Sequence, residues 1–197
     1  MKNSLLSFLA TFIVASVTIA QTVLAPFNPN KDDRKWGFIN EKGEVAIAAT
    51  YDEVLEFSSE GLTLVREGKA WKVINTSNQE IVFELKGFAP VSIFGFGKRG
   101  FTNGLAVLAQ SKSQGVIDIK GKTIHEFKYT TITDFDNGFA TAKIGKDFFI
   151  LTADGKSTPV PSVIDLDSYK EGFAPFRAVN KMFGFIDVSG KEVIAAT

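Results

Sequence analysis

Lys35-Trp36-Gly37-Phe38-Ile39-Asn40-Glu41-Lys42-Gly43-Glu44 runs an aromatic, apolar segment into a tight turn that closes on glycine. The pattern returns as WKVINTSNQ from Trp71, QGVIDIKGK from Gln114, FFILTADGK from Phe148 and FGFIDVSGK from Phe183. The five anchors are spaced by 35, 43, 34 and 35 residues. A period in this range is the signature of a supersecondary unit repeated along the chain.

Turn chemistry gives each copy its geometry. The four residues after the apolar run open with Asn40, Asn75, Asp118, Thr152 or Asp187 and close with Gly43, Asn78, Gly121, Gly155 or Gly190. An Asn or Asp that opens a type I turn bonds its side chain to the backbone ahead of it, and the fourth residue must tolerate positive φ. Glycine does so without strain and asparagine is next best, so Asn78 is the departure this geometry permits. The pattern predicts hairpins with a glycine bulge.

A second strand precedes each of the later anchors: GLTLVREGK from Gly61, GLAVLAQSK from Gly104, GFATAKIGK from Gly138 and GFAPFRAVN from Gly172. A third follows each turn, as in EVAIAATYDEVLEF over 44–57. The expected architecture is all-β: tandem three-stranded antiparallel meanders of about 35 residues, stacked as a β-solenoid or propeller-like array. The units start near residues 22, 61, 104, 138 and 172, because Leu24-Ala-Pro-Phe27 repeats Phe173-Ala-Pro-Phe176. Pro26 and Pro175 belong at a strand edge or start, since neither can donate to a central ladder. The long second unit places its extra residues at about 86–101, as an insertion or as a vestigial copy around Gly87-Phe-Ala-Pro90.

KWGFINEKGE, FGFIDVSGKEVI and the Glu-Gly-Leu or Glu-Gly-Phe steps together resemble the bacterial WG repeat, also called the KWG repeat. The resemblance covers roughly residues 24–197. The Trp-Gly pair itself is intact only at Trp36-Gly37, becoming Trp71-Lys72, Gln114-Gly115, Phe148-Phe149 and Phe183-Gly184. The resemblance implies a β-repeat protein, often exported, and brings no catalytic residues with it.

Composition agrees with strands and turns: 19 Phe and 17 Gly stand against two Met in 197 residues. The formal net charge is zero without a long block of one sign, so no electrostatic footprint for nucleic acid or an anionic membrane is present. Met1-Lys2 followed by the apolar run Leu5–Ala20 reads as an export signal over residues 1–20, cut after Ala20. The run is short for a membrane span, and no stable span is expected after cleavage. The expected location is therefore the periplasm or the outside of a bacterial cell. No cysteine is present, which removes disulfides, thiol nucleophiles and cysteine metal sites.

Gly95-Phe-Gly-Lys-Arg-Gly100 matches the dinucleotide glycine pattern, but Phe101-Thr-Asn-Gly104 leads into another strand rather than a helix. A glycine loop is the expectation, with Lys98 and Arg99 on a backbone nest as the candidate anion-binding pair. Asp134-Phe-Asp136-Asn-Gly138 lacks the calcium-loop order and occupies the column of Ser59-Glu60-Gly61 and Lys170-Glu171-Gly172, an inter-unit turn. Asp165 and Asp167 read as solvated. His125, the only histidine, is expected on a strand surface. Trp36, Trp71, Phe148 and Phe183 share one column and are expected to stack as a core between units, with a line of exposed rings as the alternative. No catalytic residue, cofactor or metal is assigned.

The expected role is an exported, non-catalytic interaction module for protein, peptide or glycan; the alternative is a carboxylate-based hydrolase of cell-envelope glycan or peptide. The terminal strand at Glu192–Ala196 presents an edge that either closes on the chain itself or pairs weakly with a second copy.

Overall fold

The computed structural model describes residues 23–30, 34–83, 85–93 and 97–197. The leader, the start of the first unit near 22 and Gly95-Phe96 of the glycine loop lie outside them. Within them the chain is all-β, with no helix long and apolar enough to cross a membrane. Among the described residues, five antiparallel sheets of three to five strands follow one another in chain order, and a sixth, two-stranded sheet lies within the span of the third. Sheet 1 holds Ala25–Phe27, Trp36–Ile39 and Val45–Tyr51. Sheet 2 holds Glu53–Val54, Leu62–Glu67, Ala70–Asn75 and Glu80–Ile81. Sheet 3 holds Phe88–Pro90, Phe101–Thr102, Leu105–Gln110, Ser113–Asp118 and Thr123–Tyr129. Sheet 4 holds Thr131–Ile132, Phe139–Ile144, Asp147–Thr152 and Ser157–Val160. Sheet 5 holds Val163–Leu166, Phe173–Ala178, Phe183–Asp187 and Glu192–Ile194.

The meander of three strands is present in every sheet, and sheets 2 to 5 begin with a further strand laid on its outer side. In sheets 2, 4 and 5 that strand comes directly from the end of the previous sheet, whereas residues 82–87 separate sheets 2 and 3. One residue, Asp52 or Thr130, separates the sheets at 51–53 and 129–131, and two separate them at 160–163. At these three joins the third strand of one unit and the first of the next are thus one extended segment. Its polar or proline break lets it leave one ladder and join another.

The turns hold as their chemistry requires. Asn40 Oδ1 accepts from the N–H groups of Lys42 and Glu44 at 3.0 Å, and Asp118 and Asp187 repeat this. Asn75 Oδ1 does the same for Ser77 and Gln79. The closing residue has positive φ in each copy, including Asn78 at 60°.

Alternation along the strands divides each sheet into a face toward its predecessor and a face toward its successor. Four buried apolar clusters result, each spanning one pair of consecutive sheets. Phe38 and Ile47 of sheet 1 meet Val65 and Ile74 of sheet 2. Leu64 and Val73 meet Leu108 and Ile117. Val107 and Val116 meet Ala142 and Leu151, and Phe148 and Ile150 meet Phe176 and Ile186. At about 25 cal/mol per Å² of apolar surface removed from water, these seams are the main source of stability in a chain without disulfides.

The glycine after the anchor decides the path of the third strand. In sheet 1, Trp36 faces Tyr51 while Phe38 faces Ile47, so two residues oppose four. Sheet 3 repeats this with Gln114 on Tyr129 and Val116 on His125, and sheet 5 shifts register between Phe185 and Ile186. The bulged segment crosses close over Gly37, Gly115 and Gly184. A Cβ on Gly37 would lie 2.3 Å from the Ile47 carbonyl oxygen, and one on Gly184 2.5 Å from that of Ile194. Where Lys72 or Phe149 takes the column, the ladder runs without a shift. The bulge therefore goes with the glycine.

Phe88–Pro90 pairs with the end of Leu105–Gln110, with Pro90 opposite Leu108. Val54 opposite Val65 and Ile132 opposite Ala142 hold the same place in sheets 2 and 4. This segment is the leading strand of sheet 3. The additional residues follow it as a small hairpin of Ser92–Ile93 and Gly97–Lys98.

Candidate functional site

The hairpin at 92–98 leans toward the leading segments of sheets 4 and 5, and a cleft of roughly 530 Å³ opens where they meet. Arg99, just after the hairpin, forms one wall with its side chain 11% exposed. Its guanidinium donates from Nη1 to Asp134 Oδ1 and from Nη2 to the Ile132 carbonyl, both at 2.9 Å. Its own backbone N–H donates to the Val91 carbonyl at 2.9 Å. Arg99 Nε is buried without a hydrogen-bond partner among the described residues.

Lys98 points elsewhere. Its ammonium pairs with Glu53 Oε1 and sits 5.3 Å from the centre of the Trp71 ring. Lys98 and Arg99 are thus adjacent in sequence and divided in space, one matched to a carboxylate of sheet 2 and the other to one of sheet 4. The strand alternation that splits them is the same that organises the sheets.

The rest of the cleft is polar. Gln114 stands in the anchor column where the other copies carry an aromatic ring, and its Oε1 accepts from the Ile132 N–H at 2.8 Å. Thr133 Oγ1 accepts from the Thr141 N–H at 2.9 Å. Asp136 Oδ2 accepts from the Glu171 N–H at 2.8 Å, tying the turn at 136–139 to the turn at 170–173. Asn137 and Gly138, at φ 47° and 84°, make Asp134–Gly138 the expected inter-unit turn. Lys170 and Ser168 complete the rim. Tyr169, 3% exposed, donates its hydroxyl to the Asp187 carbonyl at 3.0 Å, and burial pushes its pKa far up. It anchors the floor and remains un-ionised. Among the described residues no cluster of three or more His, Cys, Asp or Glu is grouped to hold a metal. Sequence reasoning missed Gln114, Thr133 and Lys170; only the loss of the aromatic at Gln114 marked the place.

Two expectations need correction. His125 is 4% exposed rather than on the surface. The bulge opposite Gly115 turns Phe127 toward sheet 2 and leaves His125 and Tyr129 facing sheet 4, with Phe135 stacked 6.3 Å from the imidazole. His125 Nε2 lies 2.8 Å from the Thr152 carbonyl, an acceptor, so that nitrogen carries the proton. Burial, aided by Lys128, holds its pKa below the ordinary histidine value. The anchor aromatics do not form one stacked core either. Phe148 is 5% exposed but Trp36 is 37% and Phe183 is 65%. They lie at the hairpin end of their strands, and the buried column is two residues on, at Phe38, Val73, Val116 and Ile150. Lys143 and Arg177 sit over Phe148 and Phe183 at 4.9 and 5.4 Å.

Stacked antiparallel sheets, successive in the chain and sealed by repeated seams, define a β-repeat protein. In two regions, residues 36–71 and 115–146, the chain matches the family model for the WG containing repeat. Each matched region begins at a copy whose glycine underlies a bulge. No curated protein matches the chain in sequence. Among solved structures, Hsv2 of Kluyveromyces marxianus is similar over 85% of this chain and 57% of its own, at 11% identity and a TM-score of 0.49. Hsv2 of Kluyveromyces lactis is similar over 85% and 59%, at 12% and 0.47. The computationally designed Ika8 protein is similar over 87% and 60%, at 15% and 0.43. The chain spans less than two thirds of the length of each.

Proposed function

We propose that this protein is an exported, non-catalytic interaction module that takes a peptide, protein segment or glycan in the cleft beside Arg99. The observation that carries this reading is the cleft's lining. It is open, it carries both signs of charge, and it offers hydroxyl and amide groups from three sheets around the Arg99 guanidinium. An extended polar chain with alternating donors and acceptors fits such a lining. The carboxylates there are engaged, Asp134 by Arg99 and Asp136 by the Glu171 N–H. That arrangement supports holding a ligand rather than moving protons. Export rests on the apolar run Leu5–Ala20 and is checked by the intact mass of the secreted protein.

The test is a screen of peptide and glycan arrays with the protein, followed by amide chemical-shift mapping of the hits. Shifts centred on Thr133, Asp134 and Lys170, with binding weakened by Lys170→Ala, are expected. Hits that map to another surface would overturn the assignment of the cleft.

A further inference from the structure

Each internal seam sets a successor face against a predecessor face, and among the described residues the first and last sheets leave one face of each kind open. On sheet 1 the successor face is covered: Leu24, Phe38 and Ile47 are 6%, 0% and 3% exposed. The same columns on sheet 5 are Phe173, Phe185 and Ile194, at 47%, 39% and 58%. Together with Val193 they line an apolar groove of roughly 470 Å³, with Lys170 and Glu171 at its rim.

The predecessor face shows the converse. Ala174, Phe176 and Ile186 of sheet 5 are 0%, 6% and 3% exposed, sealed against sheet 4. Their counterparts on sheet 1 are the exposed Ala25 and the half-buried Phe27 and Ile39, and Val45, opposite Ile39 in the ladder, is 60% exposed. The chain thus presents, at opposite ends of one array, the two halves of an interface it builds four times internally. Ala25, Phe27 and Ile39 stand in the columns that Ala174, Phe176 and Ile186 fill in sheet 5, whereas the column of Val45 holds Glu80, Thr123, Ser157 and Glu192 in the other sheets and is no part of an internal seam.

We propose that the sheet 5 face of one copy docks on the sheet 1 face of a second copy, continuing the stack across the molecular boundary. The contact is heterologous: Phe173, Phe185 and Ile194 of one copy meet Ala25, Phe27 and Ile39 of the next. Such a contact closes into a ring or extends as a helix, according to the rotation per copy. This inference is independent of the cleft and of any ligand there.

Light scattering on size-separated protein, with Phe185→Glu and Ala25→Glu, tests it. Both side chains are exposed, so each variant keeps its seams, and melting temperatures near the parent value verify this. The parent protein is expected to gain mass with concentration, to at least twice the protomer. Each variant alone lacks one half of every junction and is expected to stay monomeric. An equimolar mixture retains one intact junction and is expected to form a dimer that does not grow. A parent that stays monomeric at all concentrations overturns the proposal, as closure of the array on itself would. A dimer indifferent to both substitutions, as edge pairing would give, overturns it too.

Discussion

Gly115 lies directly under the ring of Phe127: a methyl group at Gly115 would come within 2.7 Å of Phe127 Cγ and Cδ2. The ring lies there because the third strand of sheet 3 bulges between Gln114 and Val116 and throws Phe127 to the opposite face from His125 and Tyr129. Gly115→Ala and Gly37→Ala are therefore expected to cost about 1–3 kcal/mol each, the usual range for overpacking. At Gly37 the obstacle is the Ile47 backbone, which has no side-chain freedom with which to yield. Lys72→Ala, at the same column of a sheet without the bulge, is expected to cost under about 1 kcal/mol through its surface ion pairs with Glu67 and Glu80. Urea unfolding of the three variants checks the contrast.

Asn78 holds φ at 60° where the sister turns place glycine, and its Oδ1 accepts from the Tyr51 hydroxyl at 2.7 Å. Asn78→Ala puts into the left-handed region a residue without the short polar side chain that lets asparagine adopt it, and removes the acceptor, so a loss of about 1–2 kcal/mol is expected. Asn78→Gly removes only the acceptor and is expected to cost less. Thermal unfolding of the pair separates the backbone effect from the hydrogen bond.

His125 gives the protein a pH dependence near neutrality. Its pKa is held below the ordinary value, so the unfolded chain takes up the proton first as pH falls. Stability is full above about 6.5 and declines from there toward the depressed folded-state pKa. The hydrogen-bonded carboxylates Asp52, Asp154 and Asp187 are also lowered, and their contribution is lost only as pH falls below the carboxylate range. Melting temperatures between pH 7.5 and 5.5 should therefore fall in the parent and stay nearly flat in His125→Gln. Equal slopes would remove His125 as the cause.

Arg99 holds the inserted hairpin to sheet 4 through two different bonds. Asp134 is 66% exposed, so Asp134→Asn is expected to change stability by under about 1 kcal/mol. The bond to the Ile132 carbonyl lies deeper, and Arg99→Met leaves that carbonyl without this donor. A cost of about 1.5–3 kcal/mol is expected there. Arg99→Lys should recover little of it, because an ammonium cannot reach both acceptors with the fixed fork of a guanidinium. Chemical denaturation of the three variants checks this order.

How far the chain announced this structure depends on which interactions are local. The hairpins at Asn40, Asn75, Asp118, Thr152 and Asp187 were legible because Asx and glycine chemistry acts within five residues. Alternation also made the two faces of each strand readable. The leading strands at Glu53–Val54 and Thr131–Ile132 were not, since two residues give no period and their pairing depends on the sheet they join. The burial of His125 escaped for a related reason. A bulge resets the alternation, and only the packing of Phe127 over Gly115 reveals it. The role of the second half of the Trp-Gly pair was hidden likewise, because the close approach it permits comes from a strand ten to twelve residues away. The cleft was the least legible, as Arg99, Gln114, Thr133 and Lys170 converge from four separate segments.

The single residues Asp52 and Thr130 that join one sheet to the next have a kinetic consequence. Nearly every strand pairs with one close in the chain, so loop closure costs little and contact order is low for an all-β protein. At the joins of one or two residues, a newly formed hairpin delivers the leading strand of its successor already in place. The protein should fold by a zipper that starts at any internal hairpin and spreads both ways. It should open from its outer sheets inward, with the amides of Phe183–Asp187 exchanging well before those of Ser113–Asp118.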